Sequence, residues 1–199
     1  MTTPIAALKA HDPRVLAIGA SAGAVEALLD LLPGLPPGLP ATVLVVVHVP
    51  RDRRSALPML FAPRCVLPVL EAEDKIGADP GHVYFAPAGY HLLVERDGTL
   101  ALSSDDLVNM SRPSIDVLFE SVAYGFGPRT LGIVLSGANA DGARGLACIR
   151  ERGGLGWVQD PTTARVALMP EAAIAAAHPD AVLAPAAMAD ALAQWGAAA

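Results

Sequence analysis

The chain is short of cysteine, of positive charge and of long apolar runs, and each shortage removes a class of protein. Two cysteines, Cys65 and Cys148, in 199 residues cannot build a disulfide framework or a four-ligand zinc site. Fourteen Lys and Arg against 20 Asp and Glu leave a formal net charge of -6, the wrong sign for a nucleic-acid partner, whose phosphates call for a basic face. No uninterrupted apolar stretch approaches the roughly 18 residues that cross a bilayer, and residues 1–14 lack the apolar core of a secretory signal. The expected setting is therefore the cytoplasm, with no membrane-embedded segment. The first turn has neither G-x-G-x-x-G nor a P-loop lysine, which disfavours a nucleotide-binding domain. His11, His82, His91 and His178 have no partners at ligand spacing and are read as structural, with no metal expected.

What is present is apolar residue in quantity, 53% of the chain, enough for the core of one α/β domain over residues 1–199. Continuous apolar runs near 15–18, 43–47 and 131–135 read as strands buried on both faces of a parallel sheet. They alternate with helical patterns at 25–32, 55–61, 114–124 and 142–152, the last closed by Gly153-Gly154. Shorter strands are expected at 66–70, 157–159 and 182–183, and Ala-rich helices at 169–177 and 185–195. Residues 83–85, 91–94 and 100–102 are closely spaced apolar segments separated by Pro87-Ala88-Gly89 and Asp97-Gly98, which suggests hairpin-like pairing. The fold class expected is α/β: a doubly wound, mostly parallel sheet with helices on both faces and a small antiparallel hairpin insertion.

The stretch Gly19-Ala20-Ser21-Ala22-Gly23 fits G-x-S-x-G between a strand and a helix. Small neighbours let such a turn tighten until the serine hydroxyl projects at the sheet edge, beside helix N-terminal N–H groups that suit an oxyanion. His48 ends the second strand, and Asp141 follows the strand at 131–135. In a doubly wound sheet all three strand ends share one rim. Hydroxyl, imidazole and carboxylate are the types acyl transfer needs: a nucleophile, a base for its proton, and an anion that holds the base in one tautomer. The order Ser, His, Asp differs from the Ser, Asp, His of α/β-hydrolases. Each residue also has a structural reading: Ser21 as the cap of the following helix, His48 satisfied by backbone, and Asp141 or Asn139 as the cap of the helix from Gly142.

Beyond these three, Gly19-Ala20-Ser21-Ala22-Gly23, Val46-Val47-His48-Val49-Pro50, Tyr84-Phe85-Ala86-Pro87, Arg112-Pro113-Ser114-Ile115-Asp116-Val117-Leu118-Phe119 and Ser136-Gly137 through Asp141-Gly142-Ala143 together resemble the catalytic domain of the chemotaxis protein-glutamate methylesterases, the CheB type. The closing run from Gln159-Asp160-Pro161 to Met169-Pro170-Glu171-Ala172-Ala173-Ile174 extends the resemblance over nearly the whole chain. It implies a cofactor-free serine hydrolase that demethylates glutamate methyl esters, and in many members deamidates glutamines, on the cytoplasmic helices of bacterial chemoreceptors. Ser21 is then the nucleophile, His48 the general acid and base, and Asp141 the residue that orients His48. The family's receiver domain is not matched in this chain, so a separate regulatory or receiver protein is a possible partner.

The chain departs from the family pattern at Ala22 and Ala24 in the elbow, at Ala138 and Asn139 before the aspartate, and at Ser111, where histidine is common. A backbone N–H serves an oxyanion whatever side chain it carries, so Ala22 and Ala138 are the candidate oxyanion donors. Arg51, Arg53, Arg54 and Arg112 are candidates for attracting an acidic receptor surface, against the reading of an ordinary solvated cluster. Two other functions stay open on the sequence: a serine esterase or amidase of this fold with another substrate, and a signalling or binding module with little catalysis.

Overall fold

The computed structural model describes residues 3–49 and 55–197. In chain order the elements are α1 (Pro4–His11), β1 (Val15–Ala20), α2 (Ala24–Leu31), β2 (Thr42–Val47), α3 (Leu57–Phe61), β3 (Val69–Glu71), β4 (Val83–Phe85), β5 (His91–Val94) and β6 (Leu100–Ser103). They continue with α4 (Ile115–Phe126), β7 (Thr130–Val134), α5 (Ala143–Glu151), β8 (Leu155–Gln159), α6 (Leu168–Ala177), β9 (Ala181–Leu183) and α7 (Pro185–Gly196). Seven strands form one parallel sheet in the order β3-β4-β2-β1-β7-β8-β9. Every residue of β1, β2, β7 and β8 is buried, as continuous apolar runs require when helices cover both faces.

Side-chain alternation divides the core. Leu16, Ile18 and Ala20 of β1, with Val43, Val45 and Val47 of β2, pack against Leu28, Leu31, Leu192 and Trp195 on the face of α2 and α7. Ala17, Leu44 and Val46 turn the other way, into a second layer with Phe119, Leu146 and Met169 of α4, α5 and α6. The period of two, carried one residue past β2, sends His48 to this second face, where α4 and α5 begin. The winding reverses between β1 and β7, and the ends of β2, β1 and β7 are level because Ala20 pairs with Val47 and Gly19 with Val134. A crevice beyond the carboxyl ends of these strands is the expected ligand site of such a sheet.

The doubly wound sheet and the small antiparallel pair, β5 with β6, agree with the sequence reading. The middle segment differs in one respect: residues 83–85 do not join the hairpin but lie between β2 and β3 as β4, a parallel strand. All three of its residues are buried, and spacing along the chain carries no information on which face covers them. The N-terminal segment, read without an element, holds α1. There Thr3 accepts the Ala6 N–H, Pro4 starts the helix, and Leu8 is buried in the first core layer. The third strand begins after Pro68, at Val69, because Pro has no N–H to give a ladder.

The backbone of β1 lies directly against α4. A Cβ built on Gly19 would stand 2.3 Å from Cγ2 of Ile115, the first residue of that helix. Gly19→Ala is expected to destabilise the protein by about 1–3 kcal/mol, because Ile115 is held on all sides and has to shift. Urea unfolding followed by circular dichroism measures this; an unchanged midpoint would show that β1 and α4 are not in contact.

Candidate functional site

Three loops meet at the carboxyl edge. The ladder of β1 runs one residue beyond the strand on both sides: the Ser21 N–H donates to the Ser136 carbonyl at 2.9 Å, and the His48 N–H donates to the Ala20 carbonyl at 3.2 Å. Ser21 therefore stands between the end of β7 and His48 at the end of β2. The chain then turns sharply at Gly23, with φ 83°, where a Cβ would be 2.6 Å from Ser136 Oγ. Only glycine accommodates both the left-handed backbone and that approach. Gly23, not Ser21, is the N-cap of α2, and the Ser21 hydroxyl bonds to no group among the described residues.

His48 meets Asp141 through its ring and not through backbone: Nε2 is 2.8 Å from Asp141 Oδ2. The Asp141 side chain is fully buried and has five donors. Besides His48 these are the Asn109 amide at 2.6 Å, the Ser114 hydroxyl at 2.9 Å, and the N–H groups of Ile115 and Asp116 at 2.7 and 3.1 Å. Asp141 thus caps α4 rather than the helix that follows it. Burial by itself pushes its carboxyl pKa up, but donation from His48, Asn109, Ile115 and Asp116 outweighs burial and holds it below the ordinary value. An ionised Oδ2 at that distance requires the proton on Nε2, so neutral His48 keeps its lone pair on Nδ1.

The cap of α5 comes in exchange from α4. Asp116 Oδ1 accepts the N–H groups of Gly142 at 3.0 Å and Gly145 at 2.7 Å, while its Oδ2 accepts the Asn109 amide at 2.8 Å. Two buried carboxylates therefore cross between two helix N-termini, with one carboxamide donating to both. Asn139 Oδ1 accepts the Asp141 N–H at 3.1 Å, which aims its amide nitrogen toward His48 Nδ1, 3.5 Å away.

Ser136 ties the elbow to its surroundings. Its hydroxyl donates to the Ala22 carbonyl at 2.7 Å and accepts the Val166 N–H at 2.9 Å, and its N–H donates to Gln159 Oε1 at 2.8 Å. Ala22 and Ala138 are exposed, and their N–H groups donate to nothing among the described residues. Arg112 uses Nη1 on the carbonyls of Ser104 and Asp105, so it holds a loop. Arg51, Arg53 and Arg54 lie outside the described residues. His91, buried, accepts the Ser114 N–H on Nδ1 at 3.1 Å and donates from Nε2 to the Asp106 carbonyl at 3.0 Å, which sets it as the neutral Nε2–H tautomer. Among the described residues no group of His, Cys, Asp and Glu has metal-binding geometry, and no helix is long and apolar enough to cross a membrane.

The sequence reading missed Asn109, Asp116, Ser136 and Gln159. Asp116 carried one usable signal, an acid in the first turn of a helix. That its carboxylate serves a different helix has no sequence mark.

Fold and site define a doubly wound α/β protein with Ser21, His48 and Asp141 on one rim, at the point where the winding reverses. The chain belongs to the CheB methylesterase family, whose sequence model matches residues 16–192. A relative in Leptospira interrogans is 44% identical over 168 residues, which are 84% of this chain and 87% of that protein. The protein-glutamate methylesterase FrzG of Myxococcus xanthus is 38% identical over 195 residues, covering 96% of this chain and 58% of its own length. The crystal structure of the Thermotoga maritima CheB methylesterase catalytic domain superposes with a TM-score of 0.87 at 30% identity, over 92% of this chain and 98% of that one.

The depressed Asp141 carboxyl predicts a pH dependence of stability. Unfolded, an aspartate titrates at about 3.9. The unfolded chain therefore binds the extra proton first, so the stabilisation is complete above about pH 4 and is lost as pH falls through the folded-state value. Urea midpoints of the wild-type protein and Asp141→Asn should differ at neutral pH, and the gap should narrow progressively as pH falls below about 4. A gap independent of pH would show that the carboxyl is not depressed.

Proposed function

We propose that this chain is a protein-glutamate methylesterase that hydrolyses glutamate methyl esters, and deamidates glutamine side chains, on the cytoplasmic helices of chemoreceptors. The observation that carries the reading is the 2.8 Å bond from His48 Nε2 to a buried, ionised Asp141, with Ser21 on the adjoining strand end. It is supported by membership of a family whose relatives carry names such as protein-glutamate methylesterase/protein-glutamine glutaminase in Anaeromyxobacter dehalogenans. That relative is 43% identical over 183 residues, and the chain spans 54% of its length.

In this mechanism His48 Nδ1 takes the Ser21 proton as Oγ attacks the ester carbonyl carbon. The tetrahedral oxygen anion is received by the N–H groups of Ala22 and Ala138, which have no other acceptor among the described residues. As the C–O bond to the methoxy group breaks, the Nδ1 proton passes to it and methanol leaves, giving an acyl-enzyme on Ser21. Water, deprotonated by His48, then attacks the acyl carbon and releases the glutamate carboxylate with Ser21 restored. With glutamine the same steps expel ammonia. Asp141 stays ionised throughout and stabilises the imidazolium that forms at each proton transfer. The reading places the protein in the cytoplasm. It gives Arg51 and Arg53 the role of drawing in an acidic receptor surface.

Methanol release from methylated receptor membranes tests the activity. Ser21→Ala should abolish release while circular dichroism stays unchanged, and Asp141→Asn should lower kcat by about 10³–10⁴-fold through the wrong imidazole tautomer. Turnover retained in the Ser21 variant would remove the nucleophile. An active serine that ignores methylated receptor would favour an esterase of other specificity. If the arginines steer docking, receptor turnover should fall as salt rises while hydrolysis of a small neutral ester holds; an equal response of both substrates would remove that role.

A further inference from the structure

We propose that Asn109 is a positioning residue for the site, keeping Asp141 and Asp116 ionised side by side so that Asp141 presents Oδ2 to His48. The inference rests on the hydrolytic reading above for its kinetic consequence, but not for its electrostatics. Both carboxylates are nearly devoid of solvent contact, at 1% and 3% exposure. The single Asn109 amide nitrogen lies 2.6 Å from Asp141 Oδ1 and 2.8 Å from Asp116 Oδ2. Two like charges sharing one donor in a water-poor site repel strongly, and such pairs ordinarily resolve the conflict by taking up a proton. The amide supplies one N–H to each oxygen and accepts nothing from either, so it separates the charges without neutralising them.

The local backbone is built for this delivery. Val108 and Ser111 exchange N–H and carbonyl bonds at 3.2 and 2.9 Å around Asn109 and Met110, which have φ 52° and 61°. Two successive positive-φ residues inside a closed pair make a tight turn that ordinarily selects Asn-Gly. Here the second position is Met110, a side chain that disfavours the left-handed region, so the turn runs against local preference. Among the described residues the charged and titratable groups around the pair are few. His48 faces Asp141 from the end of β2. Arg144 of α5 approaches Asp116 Oδ2 at 3.6 Å and is itself paired with Glu120 of α4. His91 on β5 reaches the cluster only through the Ser114 N–H, and Arg112 is bound to loop carbonyls.

The test compares wild type with Asn109→Ala and Asn109→Ser by carbon-13 NMR titration of the aspartate carboxyls, alongside pH profiles of kcat/KM for methanol release. We expect the Asp141 carboxyl titration to move upward, kcat to fall about tenfold or more with KM nearly unchanged, and the acid limb of the profile to shift to higher pH. Adding Asp116→Asn to Asn109→Ala removes one of the two like charges while keeping an acceptor oxygen for Gly142 and Gly145. It should return the Asp141 carboxyl to its low titration, a recovery that a merely structural role for Asn109 would not produce. An unmoved carboxyl titration in both single variants, or a double variant no different from Asn109→Ala, would overturn the proposal. If Asn109→Ala does not fold, the Asn109→Ser titration and the folding of the double variant decide the matter: rescue of folding upholds the charge conflict, and failure overturns it. A wild-type protein that releases no methanol refutes the hydrolytic reading alone, because the carboxyl titrations are read without substrate.

Discussion

The arrangement of this molecule depends on an exchange of carboxylates between two helix N-termini. A helix start presents unpaired N–H groups and about half a positive charge, and it asks for an anion. Asp141 precedes α5 yet serves α4, while Asp116 in the first turn of α4 serves α5. Each helix thereby fixes the other, and neither end is satisfied unless both are in place. Because Ile115 at the start of α4 also rests on the Gly19 backbone, the exchange is registered against the centre of the sheet. Asp141 is anchored on the side that meets His48.

The sheet supplies the other half of the geometry. Parallel strands in level register bring their ends together, and the two-residue alternation decides which face an end residue occupies. His48 follows β2 onto the face of α4 and α5 for that reason. Ser21 follows β1 into the gap at the winding reversal, and Ser136 holds the elbow there through hydrogen bonds to Ala22, Val166 and Gln159. A serine at an elbow is thus positioned by backbone ladders on both sides rather than by its own side chain.

That division explains how the site accommodates unusual side chains. Ala22 and Ala138 offer N–H groups that depend on the local backbone, which Gly23 and the ladder bond from Ser21 to Ser136 determine. Asn139 adds a polar group beside Nδ1 of His48, and its orientation follows from the Asp141 N–H that it accepts. The anionic end of the site is governed by burial offset with many donors, the open end by exposed backbone.

Much of this was legible in the residues. Apolar runs at 15–18, 43–47 and 131–135 announced buried parallel strands, and Gly19-Ala20-Ser21-Ala22-Gly23 announced a sharp strand-to-helix turn, because chain-local sterics and periodicity control both. The partner of β4 was not legible, since the pairing of a short buried strand is set by what covers it. Nor was the role of Asp141 as the cap of a helix some 25 residues earlier in the chain. Asn109 carried no mark in the sequence, because its two carboxylate partners come from α4 and from the loop before α5. The residues alone sufficed for most of the elements after α1, their order and the chemical types at the strand ends. Which anion meets which helix, and which nitrogen of His48 faces Asp141, followed from the assembled fold, because those outcomes depend on electrostatics between segments that are neighbours only after the sheet has formed.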